Sequence, residues 1–301
     1  MDWITGIQNA IDYIEQNLTQ PLDMEEIAKR SCASSFHFQR VFHVLSGYTL
    51  GEYIRFRRLS QAGIALAEGK RKVIDVALDY GYETPESFAK AFSKFHGINP
   101  SQARGHGAEL RVFTPLSIKL SLEGGDIMNY RIEEKPAMLL TGYKRRMHGD
   151  PGDRQMQDHN FACESRLYQL ILEGASREHE TIYEVMTNFD PDGYDFYYAY
   201  QLPGWALEDF DEDVGELRSA FTHLHIPAGK YLVCETERSQ YPCDLEEELR
   251  KRAVGQWLPG SGYVMRDAPE INVIHWFWEE GNEERNNSRY SELWLPIQKT
   301  E

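Results

Sequence analysis

Two short patterns in this sequence combine residue types and spacings able to do chemistry. The first is Phe36-His37-Phe38-Gln39-Arg40, repeated in plan as Glu86-Ser87-Phe88-Ala89-Lys90. In each, one phenylalanine takes the inward side of a helix and leaves the flanking polar residues outward. Arg and Gln carry paired hydrogen-bonding groups that fit base edges in a major groove. The second pattern is Glu292 and Trp294, two apart in the apolar run Leu293–Ile297. On a strand that spacing puts both on one face. A carboxylate beside ring faces suits a hydrophobic cation, which needs charge neutralisation and cation–π contact. Trp257, Trp276 and Tyr198 are further candidate walls.

The first pattern sits in a segment that reads as helical throughout. Ile7, Ala10, Ile11, Ile14 and Leu18 repeat at helical spacing, and Pro21 ends that helix. Asp23 with Glu26 three residues on has the spacing of a capping box. Two matched stretches follow. Ile27-Ala28, a turn at Ser31–Ser34 and Phe38–Phe42 answer to Val76-Ala77, a turn at Tyr80–Glu83 and Phe88–Phe92. Each predicts a short helix, a tight turn and a second helix, with alanine permitting a close crossing. This is the helix-turn-helix plan, present twice and joined by a helix starting near Thr49. The outward residues of the second helices, Phe36, His37, Gln39, Arg40, Glu86, Ser87 and Lys90, are candidates for reading bases. Arg55, Arg57, Arg58, Lys70, Lys72 and Lys94 are candidates for phosphate contacts, which position without specifying.

The 301 residues carry a net charge of -16, which seems to argue against nucleic acid. Its distribution reverses that inference. Residues 1–107 hold 12 Lys/Arg against 12 Asp/Glu, whereas residues 108–301 hold 20 against 36. A neutral module beside an acidic one predicts two modules with different partners. With 41% hydrophobic residues a core is affordable, while no run approaches the roughly 18 apolar residues of a membrane span. The N-terminus has no basic region followed by an apolar stretch, so no secretory signal is expected. The four cysteines, Cys32, Cys163, Cys234 and Cys243, form no CxxC pair. Reduced thiols in a cytoplasm are expected, without disulfides or zinc. His223 and His225 alternate on a strand but lack a third ligand, and neither a GxSxG elbow nor a GxxxxGK[ST] loop occurs. No metal, cofactor or catalytic residue is expected.

After Gly107 the texture changes. Residues 108–127 read as a linker or a first strand, with Arg111–Leu122 extended. Beyond them strand, helix, strand, strand are predicted at Tyr130–Arg146, Asn160–Gly174, Thr181–Thr187 and Tyr194–Leu202. A second such series lies at Phe221–Glu235, Leu245–Trp257, Ile271–Trp278 and Ser291–Ile297.

Residues 4–105 resemble the DNA-binding domain of the AraC/XylS transcription regulators. The resemblance rests on Pro21-Leu22, Glu26-Ile27-Ala28, Phe38–Phe42, Gly47, Tyr53-Ile54, Arg57-Arg58-Leu59, Val76-Ala77, Gly81-Tyr82, Phe88, Phe92 and Gly97-Ile98 with Pro100. The second module resembles the GyrI-like ligand-binding domains. Asn129–Ile132, Ile226–Tyr231, Trp257–Tyr263, Pro269–Ile271 and Ser291–Ile297 carry that likeness. Together they imply a multidomain chain in the Rob-type order. An all-α double helix-turn-helix domain at 1–107 precedes an α+β domain at 128–301 built from a duplicated βαββ unit. The implied function is a cytoplasmic transcription regulator, an activator, that binds double-stranded DNA and senses a small cationic or amphipathic effector. RNA polymerase is a further implied partner. In the GyrI-like domain a glutamate of the final strand faces the ligand, and Glu292 is the residue at that position. Some GyrI-like proteins are hydrolases of small electrophiles, and control by abundance or a protein partner is a third reading.

Overall fold

The computed structural model describes residues 3–31, 33–105, 107–118, 129–149, 151–176, 180–277 and 279–300. The chain divides into two compact units, Met1–Phe42 with Tyr48–Glu123 and His43–Gly47 with Gly124–Glu301.

The first unit opens with α1 (Trp3–Gln16), whose Ile7, Ala10, Ile11 and Ile14 are buried as one stripe. Then come α2 (Met24–Arg30), α3 (Ser35–Ser46), α4 (Leu50–Ala67), α5 (Val73–Asp79) and α6 (Pro85–His96). Asp23 caps α2 by accepting from the Glu25 N–H at 3.0 Å. Glu26 does not complete a box: it pairs with Arg30 at 2.9 Å, one turn on. The reciprocal capping box lies at α4, where Thr49 N–H donates to Glu52 at 2.8 Å and Glu52 N–H to Thr49. Each such cap stabilises a helix by about 1 kcal/mol.

Both helix-turn-helix units form as the spacing predicts. Ile27, Ala28, Phe38, Val41 and Phe42 are buried, as are Val76, Ala77, Phe88 and Phe92. Between α5 and α6 the chain turns at Gly81, with φ of +81°. The left-handed backbone favours glycine there, and a β-carbon would in addition have to push the Arg58 guanidinium, 2.6 Å away, aside. Its counterpart Cys32, like the domain-boundary residue His106, lies outside the described residues.

Residues 111–118 form no strand. They run along the first unit, where Phe113 N–H donates to Ser60 (2.8 Å), Leu116 N–H to Tyr53 (3.3 Å) and Ile118 N–H to Gln8 (2.9 Å). Side chains thus take up backbone groups that a strand would have paired. The rest of the expected linker, 119–127, lies outside the described residues.

The second unit is an α+β domain. Its elements are β1 (Tyr130–Lys135), β2 (Met138–His148), α7 (Pro151–Glu164), α8 (Arg166–Ala175), β3 (Thr181–Asp190), β4 (Gly193–Tyr200) and α9 (Gly204–Asp213). They continue with β5 (Thr222–Ile226), β6 (Gly229–Glu235), α10 (Glu246–Arg252), β7 (Tyr263–Met265), β8 (Glu270–His275) and β9 (Tyr290–Lys299). The sheet runs β1-β6-β9-β8-β3-β4-β2-β5, with β7 on β9. This order is the duplication made visible: each half has one opening strand broken in two and, after its helical segment, two strands in the main sheet path (β3 and β4, β8 and β9), with β7 added at the flank of β9. The breaks fall at Pro136 and Pro227, residues with no N–H for a ladder. Each broken-off piece crosses to the other half, β1 onto β6 and β5 onto β2, all antiparallel.

Strand alternation divides the core. Leu140, Val185, Tyr231, Val233, Val273 and Trp294 line one face. Tyr143, Met186, Phe196 and Tyr200 line the other, against Phe161 of α7, Leu172 of α8 and Phe210 of α9. No helix of the described residues is long and apolar enough to cross a membrane, and no group of three or more metal-binding side chains occurs among them.

Candidate functional site

In the first unit the expected DNA-facing residues fall into two sets. On α6 Glu86, Ser87, Lys90 and Lys94 are exposed, as are Lys70 and Lys72 in the turn before α5. The N-terminus of α6 is held by Thr84, which accepts from the Ser87 N–H at 3.2 Å, with Pro85 opening the helix. Phe36, His37, Gln39 and Arg55 are half-buried.

Three expectations need correction. Arg40 is fully buried rather than outward, its guanidinium over the Phe36 ring at 5.3 Å, one turn back. Burial first, then the Arg40 charge, pushes the His37 imidazole down to about 4, so it is neutral near pH 7. Arg57 is 3% exposed and forms a forked ion pair with Glu15 of α1 at 2.7–3.0 Å, while also donating to the Phe113 carbonyl. Arg58 donates to the carbonyls of Leu18 and Gln20 (2.8 Å each), closing the chain end of α1. Arg57 spends its donors inside the fold and is not placed to meet phosphate, while half-buried Arg58 commits Nε and Nη2 to the chain after α1.

In the second unit the five expected ligand residues do not converge. Glu292 and Trp294 share a face of β9, as their spacing predicts, and Trp294 Nε1 donates to Glu292 Oε2 at 2.7 Å. The carboxylate already has a cationic partner, because Arg131 of β1 donates to Glu292 Oε1 at 2.7 Å, a guanidinium it shares with Glu133 and Glu235. Lys135 lies over the Trp294 ring at 4.0 Å, so an internal cation holds that ring face too. Trp257 packs against Tyr130 and Tyr263, at 5.2 and 6.0 Å between centroids. Trp276 is covered by Arg289 at 4.1 Å. A cleft of 850 Å³ beside β1 and α10 is lined by Tyr130, Arg131, Glu235, Arg238 and Arg252 among others, and by none of the five.

Tyr198 lies on the opposite sheet face and leads to a site that the sequence reading missed. It pairs across the ladder with Glu184 of β3, and Glu184 with Asn272 of β8. This row of polar groups runs beneath α7 and α10. Asn272 Nδ2 donates to Glu246 of α10 at 2.7 Å and reaches Glu184 at 3.4 Å. Tyr198 donates to Asp158 of α7 at 2.9 Å. Glu184 and Glu246 are each 8% exposed, and no Lys or Arg of the described residues forms an ion pair with Glu184, Glu246 or Asp158. Burial first, then the neighbouring acids Glu246 and Asp158, pushes the Glu184 carboxyl well up. Burial likewise raises Glu246 to about 7, and Asp158 upward. Beside these acids lie rings in edge-on and tilted contact: Tyr143 with Phe161 at 5.3 Å, Phe161 with Tyr198 at 5.4 Å and Tyr143 with Tyr198 at 5.9 Å. Chemically this is a set of unneutralised carboxyl groups walled by aromatic faces, the arrangement sought at Glu292. One signal for it was in the sequence. Within Thr181–Asp190 the neighbours of Glu184 are apolar on both strand faces, so a glutamate there must be buried.

Comparison with known proteins identifies two family matches. Residues 27–106 match a helix-turn-helix domain family, and residues 131–297 match the integron-associated effector binding protein family. The HTH-type transcriptional activator AarP of Providencia stuartii is 43% identical over 98 residues, which are 33% of this chain and 73% of AarP. The right origin-binding protein of Escherichia coli K12 is 35% identical over 104 residues, 35% of this chain and 36% of that protein. Among solved structures, a protein bound to tetraphenylphosphonium aligns with a TM-score of 0.42 and 14% identity, over 57% of this chain and 94% of that one.

Proposed function

Because the chain belongs to the AraC-type transcription regulators and carries a domain of the integron-associated effector binding family, we propose that its second unit takes an aromatic cation as effector. The chain is a DNA-binding transcription regulator with an effector-binding domain. The relatives AarP of Providencia stuartii and SoxS of Salmonella typhimurium are regulators and not hydrolases, which speaks against the hydrolase reading. We read the sign of control as activation, as the name of the AarP relative suggests, with RNA polymerase as partner in the cytoplasm.

The observation that carries the cation reading is the buried pair Glu184 and Glu246, with half-buried Asp158, beside Tyr143, Phe161 and Tyr198. Buried carboxyls without a cation are costly to ionise, and an entering cation would relieve that cost. Glu292 is the weaker candidate, since Arg131 occupies it. The test is calorimetric titration of the full chain with tetraphenylphosphonium, which combines a permanent charge with four rings. Glu184→Gln should weaken binding by on the order of tenfold, about 1.4 kcal/mol, while Glu292→Gln changes it little. Equal affinity in Glu184→Gln and the parent protein sinks the reading.

For DNA, the exposed Lys90 of α6 is the side chain we assign to base reading in the second helix-turn-helix. Lys90→Ala should cost about 1–3 kcal/mol on a specific duplex and much less on a scrambled one. Equal losses on both duplexes would make Lys90 a phosphate contact.

A further inference from the structure

Glu184 and Glu246 reach one and the same amide nitrogen, Nδ2 of Asn272, at 3.4 and 2.7 Å. Two carboxylates that share a single donor nitrogen stand close together. Each is 8% exposed, and among the described residues neither has a Lys or Arg partner. Like charges so placed cannot both be ionised near neutrality, and one must keep a proton. The polar inventory agrees: Glu246 Oε1 and Asn272 Oδ1 are buried without a hydrogen-bond partner.

We propose that Glu184 and Glu246 hold one proton between them, and that a cationic effector binds by displacing it. The proposal rests on the effector reading of this same site. One carboxyl O–H bond breaks, its electron pair stays on the carboxylate, and the proton passes to buffer. The positive charge of the incoming cation takes its place, so the charge of the pocket is unchanged.

The surroundings favour this exchange over an internal neutralisation. From α7 Asp158 faces the pair, from β4 Tyr198, from β2 Tyr143, and from the turn before α10 Cys243. On β9 Ser291 faces Glu246. All of these are acids or neutral groups. The nearby cation Arg250 is held by Glu270, to which it donates at 2.9 Å. Burial and the neighbouring acids both push the Glu184 carboxyl upward, the direction that keeps a proton in place.

The experiment is titration of the full chain with tetraphenylphosphonium, which has no proton of its own to lose. Calorimetry in two buffers of different ionisation enthalpy counts the protons released. At about pH 6 the count should approach one per probe bound, and affinity should rise up to about tenfold per pH unit before levelling off at higher pH. Glu246→Gln removes the like charge beside Glu184, so release should shrink and the rise in affinity should move to lower pH. The double variant Glu184→Gln with Glu246→Gln should release no proton. Infrared spectra of the probe-free protein give a second readout. A neutral carboxyl band should be present at pH 6 and fade as pH rises, and be lost in the double variant. Binding with no proton release and a flat pH profile overturns the exchange while leaving the cation reading intact. Absence of the neutral carboxyl band also overturns it. Failure to bind the probe at every pH overturns the effector reading and the exchange together.

Discussion

Arg57→Ala should lower the stability of the first unit by about 3 kcal/mol or more, a larger loss than any exposed-cation substitution in that unit. Removing one partner of a buried pair typically costs about 3–5 kcal/mol, because the other charge is stranded. Here the stranded group is Glu15, 20% exposed, so water recovers part of the loss and the lower end of that range applies. The Phe113 carbonyl loses its donor as well. Arg57→Lys should rescue only partly, since an ammonium cannot reproduce the forked contact with both Glu15 oxygens. Lys72→Ala, at an exposed residue, should stay within roughly 0.5 kcal/mol. Urea unfolding followed by circular dichroism measures all three. If Arg57→Ala unfolds like the parent protein and instead weakens DNA binding uniformly, with the salt dependence reduced by about one phosphate, the assignment as an internal pair is wrong.

Arg57 also shows why the fold was more legible than the site. The helices follow from local periodicity, since Ile7, Ala10, Ile11 and Ile14 need only their own spacing to mark a buried stripe. The two helix-turn-helix units follow from a repeat within the chain. Whether an arginine faces DNA or Glu15 depends on a contact 42 residues away, which periodicity does not encode. The same division runs through the second unit. The shared face of Glu292 and Trp294 is a property of one strand and was readable. Arg131, which pairs with Glu292, comes from 161 positions earlier. It arrives because β1 crosses to β6 after the break at Pro136, whereas Tyr130–Arg146 reads in the sequence as one continuous strand. Glu184, Glu246 and Asp158 likewise meet only through a strand and two helices, from opposite halves of a duplicated domain.

The buried acids also set how stability responds to pH. A carboxyl that titrates higher in the folded chain than in the unfolded one makes the folded state bind more protons between the two values. Unfolding free energy then falls as pH rises through that window, the opposite of the usual salt-bridged carboxylate. For Glu246 the window runs from an ordinary glutamate value to about 7, and burial is the main cause. Across it the parent protein should lose on the order of 3 kcal/mol from this residue, the stabilisation being complete in the acid and gone above the folded value. Glu246→Gln keeps the shape, still accepts from Asn272 and has no charge to bury. It also relieves Glu184 of a like charge. The variant should therefore match or fall slightly below the parent protein near pH 5 and exceed it near pH 8. Asp158 is shifted in the same direction and titrates in both proteins, so the variant should keep a shallower slope rather than a flat one. Thermal unfolding at a series of pH values, run on both proteins, decides the matter. Parallel curves would mean that Glu246 is ionised in the folded protein at little cost. Curves that diverge toward high pH, with the variant above, are what an acid buried without a cation requires.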